Sequence, residues 1–292
     1  MSGTVSSTVF GETSIDRVRD YWNSRPCNLR HSPAPVGTRE YFDQVEARKY
    51  LVEPHIPGFA QHQRWAGKRV LEIGCGLGTD TINFARAGAT VTAVDLSSRS
   101  LELARQRAAV FGLDGRITFL EADAERLSEF VPPSTYDLVY SFGVIHHTPH
   151  PERVLDQISR HYAGPQTTLK MMVYYRWAWK VFAILFREAH GAWWRLDQAV
   201  AKNSEAQTGC PVTYTYTKSS VAQLLARSGF AVEEAFVDHI FQYRVPDYVK
   251  YRYVKGLPFR WLPNPAIRAL ERRMGWHLCV TARRAERFTP AP

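Results

Sequence analysis

Two hydrophobic periods alternate along this chain. Val70, Leu71 and Ile73 form a short apolar run of the kind that a strand buried on both faces requires. Gly74, Gly76 and Gly78 follow, then a helical pattern carried by Ile82, Phe84 and Ala85 that ends near Gly88. Residues 91–94 make a second apolar strand, ending on Asp95. Ser97 is a good N-cap for a helix bearing Leu101, Leu103, Ala104 and Ala108. The spacing then predicts strands over 117–120, 136–141 and 168–174, with a helix over 151–160 whose first turn holds Pro151. Further on, Thr217 caps a helix that Gly229 ends, and strands follow over 232–237 and 276–282. Strand and helix alternate throughout, which predicts an α/β fold with a doubly wound, mainly parallel sheet and ligands at the C-terminal ends of its strands.

The flanks are less regular. Ile15, Val18 and Trp22 fall on one face of a short helix, and residues 39–52 read as a second helix with Phe42 and Val45 on one side. Pro54 and Pro57 are expected to end it. Residues 1–60 thus read as an N-terminal helical cap and residues 61–292 as the main domain. Insertions are expected at about 175–216 and 239–275. The first opens on aromatics (Tyr174, Tyr175, Trp177, Trp179, Phe182, Phe186, Trp193, Trp194) and continues as a polar stretch over 204–216 with a loop at 208–211. The second holds Tyr243, Tyr248, Tyr251 and Tyr253 among basic residues. Residues 287–292 read as a frayed tail.

Charge divides the chain. Residues 1–173 hold 19 Lys/Arg against 19 Asp/Glu, whereas residues 174–292 hold 18 against 9, so the whole excess of +9 lies in the second part. A basic surface suits nucleic acid, an anionic membrane or an anionic substrate, and equally a solvated face with no partner. The four cysteines, at 27, 75, 210 and 279, are far apart and form no C-x-x-C pair. That pattern points to reduced thiols in a cytoplasmic protein, not to a disulfide framework or a zinc site. No stretch approaches the roughly 20 apolar residues of a membrane span.

Glycines followed by a strand ending in an acid suit a nucleotide-like ligand. Without a Cβ the backbone turns sharply and lets a ligand approach, and the acid accepts hydrogen bonds from ribose hydroxyls. A dinucleotide site wants G-x-G-x-x-G, but Thr79 stands where its third glycine would be and the spacing here is G-x-G-x-G. By itself the turn also suits plain helix–strand packing. With Glu72 ahead of it, Asp137-Leu138-Val139 in the fourth strand, and Gly143-Val144-Ile145-His146-His147-Thr148-Pro149 after that strand, the chain resembles class I S-adenosylmethionine-dependent methyltransferases of the ubiquinone and small-metabolite type. The resemblance covers residues 66–175 and, more loosely, 217–282.

The resemblance implies a Rossmann-like sheet of seven strands, the last antiparallel and set between the fifth and sixth. It implies S-adenosylmethionine as cofactor, held by Glu72, Gly74, Gly76, Gly78, Asp95, Leu96, Asp123, Ala124 and Ser141. Asp95 would hold the ribose and Asp123 the adenine amino group, although Asp123 also suits a helix cap. His146 and His147 are the candidate general bases, since imidazole titrates near neutral pH; packing and capping are the alternative roles. Tyr21, Trp22, Tyr41, Tyr174, Trp177 and His239 are the candidate acceptor contacts. Residues 174–194 are expected to cover the acceptor pocket, with burial and membrane contact as the alternatives. No metal is expected, because no carboxylate or cysteine completes a set with His146, His147 and His150. The resulting expectation is O- or N-methylation of a small, partly apolar or aromatic molecule. An RNA methyltransferase using the basic C-terminal part and a non-catalytic binding protein of the same fold are the alternatives.

Overall fold

The structure, a computed structural model, describes residues 9–188, 191–204 and 209–285. Residues 1–8, the expected tail over 287–292 and the side chain of Trp193 lie outside the described residues. The strands are β1 (Arg69–Ile73), β2 (Thr90–Asp95), β3 (Ile117–Glu121), β4 (Tyr136–Phe142), β5 (Ala163–Tyr175), β6 (Thr215–Tyr216), β7 (Phe230–Asp238) and β8 (His277–Arg284). They form one sheet in the order β3-β2-β1-β4-β5-β8-β7, and β6 pairs with β5 off that path. β8 runs antiparallel to both of its neighbours, the remaining pairings being parallel. The expected antiparallel final strand therefore sits between β5 and β7, and the two-residue β6 makes eight strands where seven were expected. β5 outruns β4, and its last two residues pair there with Thr215 and Tyr216.

The helices are α1 (Ile15–Ser24), α2 (Arg39–Val52), α3 (His55–Ala60), α4 (Thr79–Arg86), α5 (Ser98–Phe111), α6 (Pro151–Gln157), α7 (Trp179–Arg187), α8 (Leu196–Asn203), α9 (Lys218–Arg227), α10 (Val245–Tyr248) and α11 (Asn264–Met274). Alternate residues of β1 enter two separate cores, Leu71 and Ile73 one and Val70 the other. That two-sided burial is what a continuous apolar run in a parallel strand requires. α2 ends at Val52, ahead of Pro54 as expected; Pro54 then stands at the N-cap of α3, and Pro57 lies within its six residues. Proline fits there because the first helical amides have no intrahelical partner to lose.

Buried polar contacts dock α2 on the main sheet. Arg107 of α5, fully buried, donates to Glu46 (2.7 Å), Thr79 (2.7 Å) and the Phe42 carbonyl (3.3 Å). Lys49 and Tyr50 both donate to Asp80 of α4, each at 2.7 Å. The polar stretch expected over 204–216 is buried from Val212 to Tyr216. Its hydroxyls find partners inside, Ser204 with Thr213 at 3.1 Å and Tyr214 with the Pro149 carbonyl at 3.1 Å, which removes the cost of burying them.

Candidate functional site

The glycine turn joins β1 to α4 at the C-terminal edge of the sheet. Gly74 has φ +79°, and a Cβ there would lie 2.1 Å from the Val144 side chain, so only glycine fits. Gly76 has φ +53° and nothing within 4 Å of where a Cβ would be; its side of the turn is open. Asp95, half-buried at the tip of β2, accepts the Gly76 amide on one oxygen and the Ser97 amide on the other, both at 2.8 Å. Burial raises its pKa, and those amides oppose the rise. Leu96 beside it is half-buried. Glu72 is buried under the turn and accepts from Thr81. Burial, with the Asp80 carboxylate nearby, pushes the Glu72 pKa up to about 8. Burial also opposes ionisation of Asp80, but Lys49 and His62 outweigh it and hold that carboxyl below its ordinary range.

The remaining cofactor candidates lie along the same edge. Asp123 is buried and caps the short helical turn after β3, accepting the Glu125 amide at 2.9 Å. Ala124 is buried next to it, and Ser141 on β4 is fully buried with no hydrogen-bond partner for its hydroxyl.

His146 and His147 form a turn after β4 and are both buried, their rings 4.1 Å apart. The covering segment explains this: the Tyr214 amide donates to the His146 carbonyl (2.9 Å), and His147 Nδ1 lies 2.7 Å from the Val212 carbonyl. A carbonyl only accepts, so Nδ1 carries the proton and Nε2 the lone pair. Neither ring nitrogen of His146 has a hydrogen-bond partner. Burial, then the neighbouring His147, lowers the His146 pKa well below the usual imidazole value. Trp22 of α1 stands 5.5 Å from His147, ring to ring. Asn23 accepts the Ser97 hydroxyl at 2.9 Å, which ties α1 to the tip of β2.

Tyr174 links these histidines to a second group. Its ring is 4.0 Å from His146 and stacks on Trp276 at 4.1 Å. Across the sheet it pairs with His277, which in turn pairs with Asp238. His277 Nδ1 is 3.1 Å from His55 Nε2, and His277 Nε2 is 3.7 Å from Glu53. His239 stacks on His277 at 4.6 Å and holds φ +69°, a left-handed backbone that is costly for a residue with a Cβ. Burial lowers His55 to about 4 and His239 to about 3, and depresses His277 strongly. All three imidazoles are thus neutral at pH 7.

The structure gathers Trp22, Tyr174 and His239 around this edge. Tyr21 packs edge-on to Trp22 at 5.1 Å. Tyr41 is not among them: it is fully buried with Phe42, Val45, Leu77 and Leu103, and its hydroxyl donates to the Leu29 carbonyl at 2.8 Å. Trp177 is 41% exposed and stacks on Phe182. Glu53, His55 and His277 escaped the sequence reading. His55 and His277 are 222 positions apart, and His277 falls at an ordinary alternating position of its strand. The one local signal was the cluster Glu53-Pro54-His55 at the end of a helix.

Residues 70–163 match the family described as "Methyltransferase domain". Over 94 residues the chain is 36% identical to the ubiquinone biosynthesis O-methyltransferase of Nitrosococcus oceani, covering 32% of this chain and 39% of that one. It is 36% identical over 96 residues to the 27-O-demethylrifamycin SV methyltransferase of Amycolatopsis mediterranei, covering 32% and 35%. The match therefore spans about two fifths of such a relative's length. Magnesium protoporphyrin IX methyltransferase of Synechocystis PCC 6803, solved with bound SAH, superposes with a TM-score of 0.58 at 16% identity, covering 93% of this chain and all of that one. The cyclase SpnF superposes at 0.54 with 20% identity over 92% and 93%. These likenesses establish the class I methyltransferase fold. Residues 70–163 are similar in sequence to methyltransferase domains.

Proposed function

We propose that this chain transfers a methyl group from S-adenosylmethionine to an oxygen or nitrogen of a small, partly apolar or aromatic molecule. The observation that carries the reading is the open side of Gly76 beside the half-exposed Asp95, a cradle that a Cβ would fill. The cofactor supplies a methyl already activated on a sulfonium, so the protein has to align the acceptor and take up a proton. Gly74, Gly76 and Gly78 would line the methionine and ribose. Asp95 and Leu96 would meet the ribose, and Asp123 and Ala124 the adenine edge. Glu72 offers a buried carboxylate for the cofactor's positive charge, and Ser141 a hydroxyl below the turn. Apolar surface for the acceptor comes from Trp22, Tyr174 and Trp177. His147 is the proton acceptor in this reading, with Nε2 its basic atom, and His146 lies against it. Both are covered by residues 212–216, so an acceptor reaches them once that cover or α1 moves.

Two features bear on where the protein acts. Among the described residues no two cysteines form a disulfide, in keeping with a reducing, cytoplasmic setting. Among the described residues no helix is long and apolar enough to cross a membrane. Peripheral contact is a separate proposal: Trp179 and Phe186 of α7 are 41% and 70% exposed, with Lys180 and Arg187 on the same helix, and such a face suits a bilayer interface.

Calorimetry with S-adenosylmethionine and a methyl-transfer assay on a panel of phenols, quinols and amines test the proposal. Asp95→Ala should weaken cofactor binding by about 1–3 kcal/mol, the cost of a lost partner for a buried polar group. His147→Ala should leave cofactor affinity within about twofold and lower the transfer rate by roughly 10²–10⁴-fold. Wild-type cofactor affinity in Asp95→Ala would sink the site assignment.

A further inference from the structure

The second histidine group has the composition and geometry of a metal site. Glu53, His239 and His277 each offer one donor atom, and these atoms all lie within 4.8 Å of one another. Two imidazoles and one carboxylate form the donor set that holds zinc at sites with three protein ligands and one open position. We propose that Glu53, His239 and His277 bind a divalent transition-metal cation of the zinc class.

The surroundings are built as an outer shell. A ligating histidine commonly passes its second ring N–H to another polar group, which fixes its orientation. With Nε2 of His277 facing Glu53, its Nδ1 faces His55 Nε2 at 3.1 Å. His55 Nδ1 in turn points toward Asp238, 4.0 Å away, and has no hydrogen-bond partner of its own. Asp238 is anchored by Arg268 at 3.3 Å through each of two guanidinium nitrogens and accepts the His239 amide at 2.7 Å. With an ion bound, His277 Nδ1 would donate to His55 Nε2 and leave His277 Nε2 to face the ion beside Glu53. Phe142 closes one side, 5.5 Å from the His277 ring.

Charge does not forbid a cation. Glu53 and Asp238 face the group, while Arg268, Lys49 and Lys180 are the cations that act on its imidazoles; Arg268 is held by Asp238 and Glu271. Lys49 is neutralised by Asp80 at 2.7 Å, and Lys180 lies over the Trp276 ring at 4.7 Å. Zinc–ligand bonds of about 2.0–2.2 Å set tetrahedral donor atoms roughly 3.3–3.6 Å apart. The Glu53–His277 separation of 3.7 Å is already close to that spacing, and the longer separations close by side-chain rotation. The ligands come from the α2–α3 junction, the end of β7 and the start of β8. A cation there would bind the N-terminal helices to the edge of the sheet, next to Tyr174.

The test uses the full chain, stripped with a chelator and dialysed, then titrated with Zn²⁺ and with Co²⁺ at pH 7.5 and followed by calorimetry, the visible cobalt spectrum and melting temperature. The expected result is one ion per chain, a tetrahedral cobalt spectrum and a higher melting temperature with zinc. His277→Ala and Glu53→Gln should each weaken binding by at least about 10–100-fold, and His147→Ala should not change it. Should His277→Ala fail to fold, the wild-type stoichiometry and Glu53→Gln still decide. Folded wild type that takes up no stoichiometric ion, or equal affinity in Glu53→Gln and wild type, would overturn the site. S-adenosylmethionine binding is measured on the same stripped protein, so loss of the metal proposal is separable from loss of the methyl-transfer reading.

Discussion

At the residue scale, Glu72 makes the sharpest demand. Its carboxyl titrates near 8 because it is buried beside Asp80, whereas in water it would titrate near 4.3. Around neutral pH it is therefore largely protonated in the free protein. A cationic cofactor favours the ionised form, so binding should expel a proton. Affinity then rises with pH, by up to about tenfold per unit between pH 5.5 and 7.5, before the cofactor's own amine begins to lose its proton. Calorimetry in buffers of different ionisation enthalpy would register the released proton, and Glu72→Gln should abolish both the release and the slope. A flat affinity profile in wild type would remove Glu72 from the cofactor contact. This residue also shows what a sequence can and cannot reveal. Its place before the glycines was legible, as was Asp95 at the end of an apolar run. The burial and the neighbouring carboxylate that shift its pKa come from α4 and α2, and no local pattern announces them. His277 is the harder case, because only the pairing of β5 with β8 brings it to Tyr174.

At the scale of elements, α7 seats the segment expected to cover the acceptor pocket. It packs through Val181, Ile184 and Leu185, all buried, and shows Phe186 and Trp179 outward. Trp177, Phe182 and Phe186 do not act as one inward face; Phe182 is engaged with Trp177. Ile184→Ala should cost about 2–4 kcal/mol through the cavity it leaves. Phe186→Glu should leave the melting temperature nearly unchanged. If α7 touches a membrane, wild type co-sediments with anionic liposomes at low salt and Phe186→Glu does not; equal sedimentation would discard the contact. The histidines themselves lie under the segment 212–216, part of a stretch that read simply as polar. Composition misled because Ser204 and Thr213 satisfy one another inside. Of the tyrosines of 239–275, Tyr248 and Tyr251 engage Arg48, which lies 3.9 Å and 4.5 Å from their rings, while Tyr251 and Tyr253 remain exposed.

For the whole molecule, the decisive contacts are those that seat the N-terminal helices on the sheet. The parallel, doubly wound sheet followed from the alternating pattern and the place of the final strand from the family resemblance, but the docking of α2 rests on charged residues that no apolar pattern marks. Lys49→Met leaves the Asp80 carboxylate buried with one partner fewer. Breaking such a pair costs about 3–5 kcal/mol, which should lower the melting temperature of a chain this size by roughly 6–15 °C. Pairing it with Asp80→Asn should recover most of the loss, as thermal denaturation would show. Little change in the single variant would mean that the docking is held by Arg107 alone.

The tie between Asn23 and Ser97 has a kinetic consequence. Ser97 follows directly on the strand tip that carries Asp95, and the same helix that holds Asn23 lays Trp22 on His147. One short helix thus touches both the proposed cofactor side and the proposed acceptor side. In the proposed reaction this arrangement predicts an order: the cofactor is seated before the helix settles, and its demethylated product leaves last. Product-inhibition patterns should show that product competing with S-adenosylmethionine and not with the acceptor, and Asn23→Ala should loosen the order toward random addition.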